Sequence, residues 1–158
     1  TQPFRIVRWL MGGLDITSYK PLLSISPMIF IGFGVLIFYG RDFNVMSTGI
    51  QSAMSRGVEV IKVQKIGFIM ASLLTGAVVS LSGPIGFVGL IVPHIVRLIV
   101  GPDLRILLPT SIFFGASFLI ICDTLARTLI APTEIPVGII TAMLGGPFFV
   151  WLLKRPKS

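Results

Sequence analysis

Five apolar runs dominate this chain, and they leave few folds open to it. They cover about Pro21 to Gly40, Ile66 to Leu81, Gly86 to Val100, Ile106 to Leu125 and Ile135 to Leu153. A helix needs about 20 apolar residues to cross the hydrocarbon core of a bilayer. The third run falls short of that and contains Pro93-His94. It is expected to be a short or broken helix packed among its neighbours, because irregular backbone at membrane depth is tolerated only against protein or a water-filled path. Charged residues make up 12% of the chain, whereas about 25% is usual for a soluble domain, so a water-facing surface could not be covered. The expected fold is an all-α polytopic membrane bundle of about five spans, one domain over residues 1–158, with lipid as its solvent.

Positive charge orients the bundle. Five spans put the two ends of the chain on opposite sides. One side collects Arg41, Arg56, Lys62, Lys65, Arg97, Arg105, Lys154, Arg155 and Lys157; the other has Arg5, Arg8, Lys20 and Arg127. The richer side is cytoplasmic by the positive-inside rule, which places the C-terminus inside and residue 1 outside. A start at Thr-Gln-Pro-Phe, with no Met and no signal segment, predicts that further spans lie upstream. The net charge of +7 is spread between apolar runs rather than gathered in a basic strip with interleaved aromatics, which argues against nucleic-acid binding.

Chemistry-bearing residues are sparse. The single cysteine, Cys122, excludes a disulfide framework, and the six carboxylates and one histidine show no metal-ligand spacing. With no Gly-x-x-x-x-Gly-Lys-Ser/Thr loop and no catalytic constellation, the chain is expected to bind no cofactor and catalyse no covalent step. Small residues within the spans (Gly32, Gly76, Gly115 and Gly145 among them) suit close helix approach.

The longest polar stretch, residues 41–65, reads as two short helices joined by a glycine. Asn44 or Ser47 is a candidate cap, while Gly49 and Gly57 bracket a helical piece carrying Ile50, Ala53 and Met54. Two readings stand open: a passive connector, or a platform for a soluble partner. His94 is either a hydrogen-bonded structural residue or a ligand; after Pro93, it or Arg97 can satisfy a freed carbonyl or cap the third span. Asp123 and Arg127 lie four apart and share a helix face, as an ion pair that eases burial or as a contact for an acidic partner. Glu134, between Pro132 and Pro136, sits in a stiffened loop beside Arg127.

Residues 83–109, GPIGFVGLIVPHIVRLIVGPDLRILLP, and 123–153, DTLARTLIAPTEIPVGIITAMLGGPFFVWLL, resemble the FecCD-type permeases of bacterial ATP-binding-cassette importers. The resemblance rests on Gly83-Pro84-Ile85-Gly86, Pro93-His94, Arg97, Asp123-x-x-Ala-Arg127 and Pro132-x-Glu134-x-Pro136. Trp9, Gly12 and Gly13 also match a short segment beside that family's translocation path. The likeness implies the last five of about ten spans and a homodimer in the inner membrane. A cytoplasmic ATPase dimer would carry ATP and Mg, and a periplasmic or surface-anchored binding protein would deliver iron-siderophore, haem or cobalamin for import by alternating access.

The same resemblance makes residues 44–63 the coupling helices, with Asn44, Ser47, Gly49, Ala53, Arg56 and Gly57 at or near the ATPase contact. Ile50 stands where the family usually has Glu, Arg56 where it has Leu, and Leu104 where His is frequent. Arg127, with Glu134, would meet the binding protein, and Arg5 and Arg8 would attract an anionic cargo. The rival readings are a secondary transporter or channel working without ATP, and a non-transporting membrane scaffold.

Overall fold

The structure, a computed structural model, describes residues 2–155; Thr1 and the Pro156 and Lys157 of the basic tail lie outside the described residues. The described residues form eight helices and no strand. In chain order they are α1 (Gln2–Leu10), α2 (Tyr19–Phe38), α3 (Gly40–Ser47), α4 (Ile50–Ser55), α5 (Val60–Ser82), α6 (Val88–Val100), α7 (Leu104–Thr128) and α8 (Val137–Lys154).

Four helices, α2, α5, α7 and α8, are long and apolar enough to cross a membrane. At 1.5 Å per residue they measure roughly 27 to 38 Å, against a hydrocarbon core of about 30 Å. Little of their apolar surface is buried within the chain, and Phe30, Phe68, Phe113 and Leu153 are all largely exposed. That distribution is what a lipid-facing or subunit-facing bundle requires. The core is confined to helix seams. Val92 and Val96 of α6 pack with Leu107, Phe114 and Phe118 of α7. Cys122 and Ala126 of α7 pack with Val137 and Ile140 of α8.

The third apolar run is short, as its sequence implies, but it is not broken. α6 runs without interruption through Pro93. A proline removes one helical hydrogen bond, and neighbouring helices can absorb that loss within a bundle. Neither His94 nor the Arg97 side chain caps the helix. The end is closed by the Gly101 N–H, which donates to the Arg97 carbonyl at 3.0 Å. His94 turns its ring edge-on to Phe148 of α8, at 5.7 Å between centroids, and its buried Nε2 has no hydrogen-bond partner among the described residues.

Two further expectations are corrected. α5 begins at Val60 rather than near Ile66, so residues 60–65 are helix and not connector. Val60 and Val63 are buried on one face while Lys62 and Lys65 stay exposed, an amphipathic first turn that a search for apolar runs misses. Asn44 lies inside α3 and Ser47 at its end, so neither caps the start of a coupling helix. Ser47 donates to the Asn44 carbonyl at 2.6 Å, and Gly49 stands at the start of α4 without a side-chain cap.

Although α6 spans only about 20 Å, the segment around it traverses the bundle. Where α5 ends, the Ser82 carbonyl accepts the Gly13 N–H at 2.8 Å, and the Gly12 carbonyl accepts the Gly138 N–H of α8 at 3.4 Å. This defines the α1 end. Phe87, just before α6, packs on Gly145. Gly145 lies eight residues into α8, about 12 Å along its axis. Residues 83–87 therefore run non-helically down the bundle before α6 begins. α6 then delivers Gly101-Pro102-Asp103 to α3, at the α3–α4 end.

Candidate functional site

The two ends of the bundle carry different chemistry. At the α1 end, five charged side chains converge from α1, the loop after it, α7 and the loop before α8. Within α7, Arg127 Nε donates to Asp123 Oδ2 at 2.9 Å, the intrahelical pair expected from their spacing. The other two guanidinium nitrogens face Asp15 at 3.6 Å and Glu134 at 3.7 Å. Arg8 of α1 meets the same two carboxylates, at 3.0 Å for Asp15 and 3.6 Å for Glu134. Two guanidinium groups are thus shared among three carboxylates. All five side chains are partly exposed, so each pair contributes about 0–1 kcal/mol at most. Their effect is orientation: a planar fork engaged on several sides is held in one geometry.

The loop that carries Glu134 folds back on α7. Its Thr133 N–H donates to the Ile130 carbonyl at 2.9 Å, and the Ile135 N–H to the Ala126 carbonyl at 3.1 Å. Beside the cluster opens a cleft of about 560 Å³, bordered by Arg5, Arg8, Trp9, Asp15, Arg127 and Glu134. Arg8, expected to attract anionic cargo together with Arg5, is committed to Asp15 and Glu134. Arg5 also borders the cleft.

Backbone packing fixes this end. Trp9, in the last turn of α1, and Gly12 and Gly13, just after it, lie against Gly83-Pro84 and the start of α8. Gly83 has φ 69°, a left-handed region that favours glycine, and any Cβ there would collide with the Trp9 carbonyl oxygen. Pro84 and Gly86 are exposed on the extended run toward Phe87.

At the opposite end, α3 and α4 project between α2 and α5. Ala53 is fully buried and anchors α4, whereas Ile50, Met54 and Arg56 are exposed. α4 ends in a two-bond cap: the Gly57 N–H donates to the Met54 carbonyl and the Val58 N–H to the Ala53 carbonyl, each at 3.1 Å. Gly57 takes φ 83°, the left-handed conformation that closes such an end.

Asn44 does not join that exposed face. Its Nδ2 donates to Asp103 Oδ1 at 2.6 Å, and its Oδ1 accepts the Leu104 N–H at 2.9 Å. Asp103 also caps α7 by accepting the Arg105 N–H at 3.0 Å. That backbone N–H, and next the Asn44 amide, hold the Asp103 carboxyl below the usual carboxylate range. The carboxylate therefore stays ionised at neutral pH, and its contribution is lost only as pH falls through the lowered pKa. Because Leu104 is held through its backbone, a side chain other than His at that position leaves the contact in place.

Asp15 and the Asn44–Asp103 contact were not legible as site features. Asp15 sits alone in a loop, with no periodicity to mark it. Asp103 does carry a signal, as an N-cap residue just before an apolar run, but its partner lies 59 residues away.

The sequence profile of the FecCD transport family matches residues 2–155. The cobalamin import system permease protein BtuC of Halobacterium salinarum is 47% identical over 146 residues, which cover 92% of this chain and 39% of that protein. The hemin transport system permease protein HmuU of Yersinia pestis is 41% identical, over 95% of this chain and 45% of its own length. Among solved structures, a metal-chelate type ABC transporter in an inward-facing conformation superposes with a TM-score of 0.86 at 32% identity, covering 94% of this chain and 48% of that one. The chain thus spans somewhat under half the length of the relatives it matches.

Proposed function

Because this chain belongs to the FecCD transport family, we propose that it forms part of the membrane-spanning subunit of an ATP-driven importer for iron-siderophore, haem or cobalamin cargo. The observation that best supports this reading is the α3–α4 pair: two short helices off the end of a membrane bundle, anchored inside by Ala53 and exposing Ile50, Met54 and Arg56. A soluble ATPase dimer, carrying ATP and Mg, would seat that face. Ser47, Gly49 and Gly57 shape the pair, and Arg56 faces outward from it. Substitution of the family's usual residues by Ile50 and Arg56 would tune the contact to one particular ATPase.

At the α1 end, Arg127 and Glu134 present a preformed charged surface to a soluble binding protein. Trp9, Gly12 and Gly13 lie beside the cleft into which cargo would be released. A second copy of the permease completes the path. ATP binding would draw the ATPase subunits together, shift α3–α4 and tilt the spanning helices, so that the cleft opens alternately to either side. The chain makes no covalent bond to cargo.

The test is isolation of the complete permease in mild detergent, followed by reconstitution in lipid vesicles. Recovery of a nucleotide-binding ATPase in equal amount, with ATP-dependent cargo uptake, is the expected result. A stable permease that transports without an ATPase would move the reading to a secondary transporter. One that never transports would leave a scaffold.

Orientation follows the same reading, with α3–α4 and the C-terminus cytoplasmic. In a Cys122→Ser background, Thr133→Cys is expected to react with an impermeant maleimide added outside intact cells. Ser55→Cys is expected to react only after permeabilisation. Both positions are exposed, so reversed labelling would invert the assignment.

A further inference from the structure

We propose that Asn44 is a positioning residue that ties α3–α4 to α7 and transmits their movement, rather than a contact for the ATPase. The proposal rests on reading α3–α4 as the coupling element.

Beyond its junction with α2, α3 meets α5 and the start of α7 through three contacts. Gly40 lies against the aliphatic stem of Arg105, and the Phe43 ring covers Gly67 of α5. These are apolar contacts, which can slide. The third is directional. The Asn44 amide gives a hydrogen bond to Asp103 and takes one from the Leu104 backbone, at 2.6 and 2.9 Å, in a partly buried setting. Two antiparallel bonds to one side chain fix both distance and angle, and the bond to the Asp103 carboxylate is of the stronger, charge-assisted kind.

The chemistry demands an amide of this length. One acceptor must face an N–H at the first turn of α7, and one donor must face a carboxylate. Asp lacks the donor, Leu lacks both, and Gln is longer by a methylene. Asn44 in effect supplies one of the partners that the first turn of α7 cannot find within its own helix.

α7 is the element that gives this contact its reach. It runs 25 residues from Leu104 to Thr128, roughly 37 Å. Its far end carries Asp123 and Arg127 of the charged cluster. A displacement of α3 delivered through Asn44 therefore acts on the helix that presents the docking arginine. The two proposed partner surfaces share one structural element, which is the arrangement that coupling between distant sites requires.

The test uses the complete permease with its ATPase and binding protein in lipid vesicles, reading cargo imported per ATP hydrolysed and the amount of ATPase retained. Asn44→Leu is expected to retain the ATPase but lower cargo per ATP about tenfold, within the usual range of coupling between sites. Asn44→Asp, which sets two carboxylates against each other, is expected to do the same. The double variant Asn44→Asp with Asp103→Asn restores one donor and one acceptor in the reverse sense and should recover most of the ratio. A merely destabilising substitution would not be rescued in that way. An unchanged ratio in Asn44→Leu overturns the proposal, as does loss of the ATPase from Asn44→Leu that the double variant fails to restore. Absence of ATP-driven uptake with the unmodified chain would remove the importer reading, and the proposal with it.

Discussion

Arg127→Glu is expected to weaken docking of the soluble binding protein at least tenfold, with the loss greatest at low ionic strength. In the native cluster two guanidinium groups are shared among three carboxylates. The substitution leaves Arg8 alone against four. An acidic group on a partner would then meet repulsion where it now meets the two guanidinium nitrogens that hold Asp15 and Glu134 only loosely, at 3.6 and 3.7 Å. Like-charge juxtaposition at an interface is costly, and exposed charges are screened by salt. The measurement is the affinity of the binding protein for the complete permease in nanodiscs, across a range of salt. Restored affinity when an acidic residue of the partner is changed to arginine would identify the contact directly. If Arg127→Glu binds the partner as tightly as the native chain at low salt, the docking assignment is wrong.

Gly83→Ala is expected to cause the largest loss of stability of any single methyl added at the α1 end, roughly 3 kcal/mol or more. Two causes add. The position has φ 69°, which disfavours an L side chain, and the new Cβ would run into the Trp9 carbonyl oxygen. Backbone cannot move aside as a flexible side chain can. Relief would require α1 to separate from the end of α5 and disturb the bond from Gly13 to Ser82. Gly86→Ala, three residues on, has open space around it and no left-handed backbone. It serves as the control, with an expected change within about 1 kcal/mol. Thermal unfolding midpoints and detergent-extractable yields of the complete permease would show the difference. Equal behaviour of the two variants would refute this account of how the α1 end is held.

Both predictions concern residues that the sequence marks, but for reasons it does not reveal. Asp123 and Arg127 are legible as a pair because helix periodicity alone sets residues four apart on one face. Nothing in that periodicity brings Asp15 and Arg8 to the same guanidinium. Gly57 can be read as a helix end from its place after a short apolar-polar piece. Gly83 can be picked out only as part of a motif, since its role is contact with a carbonyl 74 residues earlier in the chain. Pro93 misleads in the other direction. Local rules make it a break, whereas the packing of α6 between α7 and α8 carries the helix straight through it.

Asn44 shows the same division. As an asparagine in a polar stretch it reads as a cap for its own segment, and in the fold it caps a helix that begins 60 residues later. Short-range hydrogen-bonding preference names the residue type, and the neighbour that receives it depends on where α6 sets down the start of α7.

What the sequence determined by itself was the solvent, the number and approximate limits of the apolar helices, and the family. Each of these depends on composition, periodicity or contiguous motif, which are properties of the chain read in order. The tertiary structure decided which charges share the Arg127 cluster, which backbone groups Gly83 must admit, and which helix Asn44 holds. These depend on contacts between segments far apart in sequence. In a bundle whose helices are apolar almost all round, the hydrophobic pattern does not say which face meets which, so close backbone approach and a few directional polar bonds set the arrangement.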